Sequence, residues 1–178
     1  MDEPQHRVRF ERLFSAHVAA VRAYARRRVE SAVADDAVSE VFVIAWRRLD
    51  DVPEDALPWL LGCARRVLAH QQRRDRRDAA LVERLRGVAH VASSTFVVGD
   101  DDALGRALAE LREGDRELLL LIAWEGLEPA QAAKVLGCSR NALDTRLHRA
   151  RKRLAAALAR ADRGVLPDEP RRPAKEAL

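Results

Sequence analysis

The stretch LEPAQAAKVLGCSRNALDTRLHRARKRLAAAL, residues 127–158, carries two helical patterns separated by a glycine. Pro129 suits the first turn of a helix because its missing N–H is not needed there. Gly137 can adopt the positive φ that ends a helix, and Ser139 stands where the N-cap of the next one is expected. The second pattern keeps one face apolar through Leu143, Leu147, Ala150, Leu154 and Leu158. Two helices joined in this way predict a helix-turn-helix unit.

The opposite face of the second helix is polar and rich in arginine. Side chains near the start of such a helix reach base edges in the major groove of DNA, while basic residues further along neutralise phosphates. A solvated basic helix without a ligand is the alternative, but the turn and the two phased apolar stripes favour a DNA reader. The residues on this face are Arg140, Asn141, Thr145, Arg146, His148, Arg149 and Arg153.

Composition is consistent with small helical domains. The chain has 178 residues, 48% of them apolar and 4% aromatic, so aliphatic helix packing must supply most of the core. The net charge is only +4, and the clustering of basic residues matters more than this sum. The two cysteines, Cys63 and Cys138, lie far apart within helical patterns, which predicts buried, reduced thiols in a cytoplasmic protein. No metal-binding spacing, signal peptide or long apolar run is present, so we expect no cofactor, no metal and no membrane insertion.

Two helical patterns lie near the N-terminus. The first, Phe10 to Ala25, places apolar side chains including Phe14 on one side. The second, DDAVSEVFVIAWRRL from Asp35 to Leu49, begins with acidic residues that favour the helix dipole. Its apolar surface is wider than one neighbour needs, because Val43, Ile44 and Trp46 add a second strip. This strip is either a partner surface or a face buried inside a three-helix core, and the sequence does not choose between them.

A second basic patch follows on the helix that begins at Leu57, separate from the C-terminal one. Two basic faces on two helical units imply two contacts with nucleic acid. Residues 87–102 break the helical pattern and predict a flexible linker, and the Pro-rich residues 163–178 predict a disordered tail. We therefore expect an all-α fold with one small helical domain in residues 1–86 and another in residues 103–162.

The order of these pieces resembles the extracytoplasmic-function group of bacterial sigma factors, which keep only the second and fourth conserved regions of the sigma family. DDAVSEVFVIAWRRLD, residues 35–50, resembles the segment that docks on core RNA polymerase. PWLLGCARRVLAHQQRR, residues 58–74, resembles the promoter-melting segment, and residues 114–154 resemble the fourth region. The resemblance implies a protein that binds core polymerase and directs initiation by reading the −35 element as duplex and the −10 element as a melted strand.

The resemblance also implies a role for individual positions. The residues that match polymerase docking are Asp35, Asp36, Glu40, Phe42, Val43, Trp46 and Arg47. Those that match contacts with the −10 element are Val52, Arg65, Arg66, His70, Arg73 and Arg74. Those that match the −35 element are Arg140, Asn141, Asp144, Thr145, Arg146, His148, Arg149 and Lys152. Four positions depart from the usual family pattern, which bears on the promoter sequence rather than on the fold: Val52, Arg66, Glu128 and Asp144.

The expected partners are core RNA polymerase, promoter DNA and an anti-sigma protein that covers the polymerase-binding surface. A free-standing helix-turn-helix regulator is the alternative, but it leaves the docking-like helix and the second basic patch unexplained. An enzyme is disfavoured, since the five histidines form no motif with Ser, Cys or carboxylates and no Gly-rich phosphate loop occurs. No catalytic residue is expected.

Overall fold

The structure, a computed structural model, describes residues 3–86 and 103–163. Every regular element within these ranges is a helix, which confirms the all-α prediction. The elements are α1 (Glu3–Arg26), α2 (Ser31–Arg47), a 3-10 helix (Leu49–Asp51), α3 (Ala56–Arg86), α4 (Ala103–Ala109), α5 (Glu113–Ala123), α6 (Pro129–Leu136) and α7 (Arg140–Arg163). The predicted linker, residues 87–102, and residues 164–178 of the predicted tail lie outside the described residues.

The first unit is a bundle of α1, α2 and α3, and each helix packs against the other two. Helix α2 begins at Ser31 rather than at Asp35, so its first turn contains no acidic residue. The predicted dipole contribution of the acidic residues is therefore wrong. Asp35 instead forms ion pairs with Arg22 and Arg26, which tie α2 to α1.

The second unit contains α4 to α7 and includes the predicted helix-turn-helix. Gly137 ends α6 with φ of 66° and ψ of 37°, and the next amide, that of Cys138, donates to the carbonyl of Ala133 at 3.1 Å. Ser139 caps α7, because its Oγ accepts a hydrogen bond from the N–H of Ala142 at 3.3 Å. Both local predictions, the left-handed glycine and the serine cap, are confirmed.

The two units pack against each other through α3 and α6, and buried residues of both belong to one hydrophobic cluster. Gly62 of α3 lies at this contact. A Cβ atom at Gly62 would be 3.9 Å from Cα of Val135 in α6, which is ordinary van der Waals contact. Gln131 of α6 adds a polar contact, since its Nε2 donates to Asp55 at 2.9 Å. The sequence predicted two domains but not this close association.

The two cysteines are free thiols, in keeping with the sequence prediction. Cys63 is buried as predicted, while Cys138 is only half-buried because it follows directly on the turn between α6 and α7.

Candidate nucleic-acid and protein-binding surfaces

The polar face of α7 lies on the surface of the second unit. Of the eight residues predicted to face duplex DNA, seven are exposed and Arg146 is half-buried. Arg140 Nε lies 2.9 and 3.0 Å from the two carboxylate oxygens of Asp144, so this acid does not present an unpaired negative charge. The hydroxyl of Thr145 donates to the carbonyl of Asn141 at 3.1 Å.

The orientation of this face is fixed from the other side of α7. Leu143, Leu147 and Ala150 are buried against the second unit. Asp115, which is 8% exposed in the first turn of α5, accepts a charge-assisted hydrogen bond from Arg153. The apolar stripe and this ion pair hold α7 against the second unit, with Arg140 and Arg149 on its exposed side.

A second basic surface lies on α3. Five of the residues predicted to face the −10 element are exposed there: Arg65, Arg66, His70, Arg73 and Arg74. Arg66 is partly held by its own helix, because its Nη2 donates to Sγ of Cys63 at 3.5 Å.

Val52 is not part of the α3 surface. Its side chain is only 5% exposed and lies in the core, and its carbonyl accepts a hydrogen bond from Nη2 of Arg9 at 3.1 Å. In this arrangement the side chain cannot touch a base, so the direct contact predicted for Val52 does not fit its position. Val52 instead anchors the segment between α2 and α3.

The wide apolar surface of α2 is divided between core and solvent. Val43 and Trp46 are 47% and 40% exposed, so these two residues of the second strip are not buried in a three-helix core. Ile44, the third residue of that strip, is half-buried and packs against the core. Phe42 is only 4% exposed, so the direct partner contact predicted for it does not fit. Phe14 of α1, expected on the core face, is 40% exposed beside this strip. We call Phe14, Val43 and Trp46 the apolar strip.

Aromatic side chains support the apolar strip from below. The ring of Phe42 meets that of Phe14 at 4.7 Å between centroids. Trp46 is contacted edge-on by Phe10 at 5.1 Å and by His6 at 4.6 Å. These contacts fix the orientation of Trp46 before any partner arrives, which lowers the entropy lost on binding. The charged residues predicted beside the strip are exposed: Asp35, Asp36, Glu40 and Arg47.

Comparison with known proteins identifies the family. The sequence model described as Sigma-70 region 2 matches residues 13–78, and that described as Sigma-70, region 4 matches residues 101–154. The RNA polymerase sigma factor CnrH of Cupriavidus metallidurans is 32% identical over 141 residues, which cover 70% of this chain and 72% of CnrH. Another relative, the ECF RNA polymerase sigma factor EcfG of Rhodopseudomonas palustris, is 30% identical over 136 residues, covering 70% of this chain and 71% of EcfG. The chain belongs to the extracytoplasmic-function sigma factors.

Solved structures show the same fold. The sigma factor RpoE of Bartonella quintana, in complex with the anti-sigma factor NepR, matches with a TM-score of 0.65 and 25% identity over 84% of this sigma factor and 96% of RpoE. CnrH in complex with the cytosolic domain of CnrY matches with a TM-score of 0.55 and 28% identity, over 85% and 88%. The resemblance found in the sequence is confirmed, and a free-standing regulator is not favoured. This sigma factor directs transcription, and its family is in general not enzymatic.

Two further observations concern membrane-spanning helices and metal sites. Within residues 3–86 and 103–163, no helix is long and apolar enough to span a membrane. Across those same ranges, no group of three or more His, Cys, Asp or Glu side chains is arranged to hold a metal ion.

The sequence reasoning missed a charged cluster between the two units. Arg28, which follows α1, donates from Nε to Glu117 of α5 at 2.8 Å and from Nη1 to Glu125 at 3.2 Å. Arg27 also pairs with Glu125, and the hydroxyl of Tyr24 donates to Glu117 at 2.8 Å. We call these five residues the interdomain cluster. Consecutive arginines just after a helix were the available signal, but nothing in the sequence gave their partners.

Burial sets the electrostatics of this cluster. The side chains of Arg28, Glu117 and Glu125 are 10%, 14% and 4% exposed. Burial, followed by the negative charge of Glu117, raises the pKa of Tyr24 well above its usual value, so its phenol stays protonated as a donor. The Arg28 guanidinium also stacks on the Tyr24 ring, with Cζ 3.5 Å from the ring centroid.

Proposed function

We propose that this sigma factor binds core RNA polymerase through the apolar strip and reads promoter DNA through α3 and α7. One observation supports all three roles: a single chain presents two separate arginine-rich helix faces and one exposed apolar strip. A free-standing DNA reader needs only one basic face and no apolar strip. We further propose that residues 1–86 and 103–162 act as the two functional domains, in the cytoplasm, where polymerase and chromosome meet.

Helix α7 reads the −35 element as duplex DNA in this proposal. A recognition helix places its first turns against base edges, and those turns carry Arg140, Asn141 and Asp144. The Arg140–Asp144 pair can present a donor and an acceptor side by side, and the acceptor suits the amine of a cytosine. His148, Arg149 and Lys152 lie further along the exposed face and suit the phosphate backbone.

Helix α3 captures the −10 element as a single strand. A protein that hydrolyses no nucleotide can favour an open duplex only by binding the open form more tightly than the closed one. Holding an unpaired base outside the stack does this, since the contacts with that base offset the cost of unstacking. We assign the base to Arg66 and His70 and the strand backbone to Arg65, Arg73 and Arg74, all of which are exposed.

The apolar strip docks the sigma factor on core polymerase. Exposed aromatic and aliphatic side chains edged by charges are typical of protein interfaces, and Trp46 is held in a fixed orientation. We also propose that an anti-sigma protein binds this chain and covers the same strip. The similarity to RpoE, which was solved with the anti-sigma factor NepR, supports that partner.

Permanganate reactivity of unpaired thymines tests the promoter-opening role. With core polymerase, this sigma factor and a promoter fragment that they bind, thymines in the −10 element should become reactive only when both proteins are present. His70→Ala should reduce this reactivity while polymerase binding persists. Arg77→Ala, an exposed change two turns further along α3, is the matched control and should leave it unchanged. Equal reactivity with His70→Ala and wild type would remove the base-capture role of α3.

A further inference from the structure

The ion pairs of the interdomain cluster and the hydrogen bond from Tyr24 to Glu117 all run between the two units. Tyr24, Arg27 and Arg28 come from the first unit, while Glu117 and Glu125 come from the second. If the units separate, all five side chains regain water, and neither unit loses a charge pair from its own core. The cluster therefore stabilises the closed arrangement of the units rather than the fold of either one.

The closed arrangement places two promoter-facing surfaces side by side. Arg65 of α3 and Arg146 of α7 line one cavity of about 330 Å³ between the units. The −10 and −35 elements, by their positions, are about 25 base pairs apart, which is on the order of 85 Å along the duplex. Two side chains that share such a cavity cannot contact both elements. The closed arrangement is therefore not the one that reads a promoter.

The chain between the units is long enough to allow separation. Arg86 ends α3 and Ala103 begins α4. About 17 peptide units connect these two residues, and a fully extended chain of this length spans on the order of 60 Å. Together with the widths of the two units, this reach is sufficient for them to occupy both elements.

One nitrogen of the interdomain cluster opposes the closed arrangement. Nη2 of Arg28 is buried and donates a hydrogen bond to no acceptor in the described part of the chain. A buried donor left unsatisfied penalises the state that contains it. Separation of the units returns this nitrogen to water, so the cluster holds the units together without making their closure irreversible.

We propose that the interdomain cluster is an electrostatic latch that keeps the free sigma factor closed and unable to read a promoter until its units separate. That the closed state is the inactive one rests on the proposed function, whereas the closure itself does not. Breaking the latch should therefore open the free protein and make it a more active initiator at low concentration.

Small-angle X-ray scattering of the free, full-length sigma factor tests the latch. Glu117→Gln with Glu125→Gln leaves Arg28 buried without a carboxylate only in the closed state, so the closed-to-open ratio should fall on the order of a hundredfold. The radius of gyration should rise by about 5 Å or more as the units move apart. Glu11→Gln, which neutralises an exposed pair with Arg7 within α1, is the matched control and should scatter like wild type.

A steric variant tests whether the two units can be opened without changing any charge. Gly62→Leu extends the side chain beyond a Cβ that would already lie 3.9 Å from Cα of Val135, so it should also open the sigma factor, while Gly62→Ala should remain closed. Circular dichroism checks that helix content is retained. If Gly62→Leu expands and the double glutamine variant scatters like wild type, the units can open but the cluster does not hold them. That result would overturn the latch.

Run-off transcription with core polymerase at limiting sigma concentration then tests the inhibitory effect. The double glutamine variant should initiate more often than wild type. If it is expanded but initiates no more often than wild type, the proposal that the closed arrangement inhibits initiation is overturned. If wild type itself initiates nowhere, the proposed function fails, while the scattering result still decides whether the cluster closes the chain.

Discussion

Replacing Trp46 with alanine should weaken binding to core polymerase by roughly thirtyfold. The side chain is 40% exposed, and a tryptophan offers about 250 Å² in total, so docking can bury about 100 Å² of it. At about 25 cal/mol per Å², and with allowance for the polar indole nitrogen, the lost contribution is about 2 kcal/mol. The rest of the ring already packs on Phe10 and His6 and does not change on binding.

Equilibrium binding of the labelled sigma factor to core polymerase measures this effect. Trp46→Phe keeps most of the buried surface and should lose less than tenfold in affinity. Trp124→Ala is the matched control, because Trp124 is 41% exposed but lies at the end of α5 in the second unit. Equal affinity of Trp46→Ala and wild type, or an equal loss in Trp124→Ala, would refute the assignment of docking to the apolar strip.

The remaining predictions concern DNA reading, packing and pH. Arg149→Ala should weaken promoter binding by the holoenzyme about tenfold and reduce its salt dependence by roughly one counterion, with core polymerase binding unchanged, as competition assays at several salt concentrations would show. Asp115→Asn should lower the free energy of unfolding by about 1–2 kcal/mol in urea titrations, whereas Asp144→Asn, which breaks an exposed pair, should cost less than about 0.5 kcal/mol. The raised pKa of Tyr24 means that above about pH 10 the unfolded phenol ionises while the folded one keeps its proton, so stability falls as pH rises from there. Urea titrations at pH 9 and 10.5 should show this loss in wild type and a smaller one in Tyr24→Phe; an equal loss in both would contradict it.

The helix-turn-helix was predictable because its signals are local. Gly137 ends α6 through its own backbone conformation, and Ser139 caps α7 through an amide three residues away. The apolar stripe of α7 has the period of a helix, and its residues Leu143 and Leu147 are buried as the pattern requires. The family resemblance then supplied the functional context that these patterns alone do not contain.

Burial on α2 and around it was predicted less well, for a geometric reason. Successive helix residues differ by about 100° in direction, so Phe42 and Val43 both fit a wide apolar surface. Only the position of α1 decides that Phe42 is buried and Val43 is exposed. Val52 follows a short 3-10 helix, where no periodicity indicates which way a side chain points.

The interdomain cluster could not be predicted because its partners are distant in sequence. Arg28 and Glu117 are 89 positions apart, and no spacing rule connects them. Charged residues are usually exposed to solvent, so neither arginine of the pair Arg27 and Arg28 stood out. The two arginines reach Glu117 and Glu125 because α3 packs on α6, and this packing depends on the whole chain.

Run-off transcription with purified core polymerase and a library of promoter fragments, with and without this protein, tests the central claim most directly. The account predicts initiation at a discrete subset of promoters only when the protein is present, with Arg149→Ala and Trp46→Ala both reducing it. Absence of initiation, together with no comigration of the protein with core polymerase, would contradict the claim that its three surfaces serve polymerase and promoter.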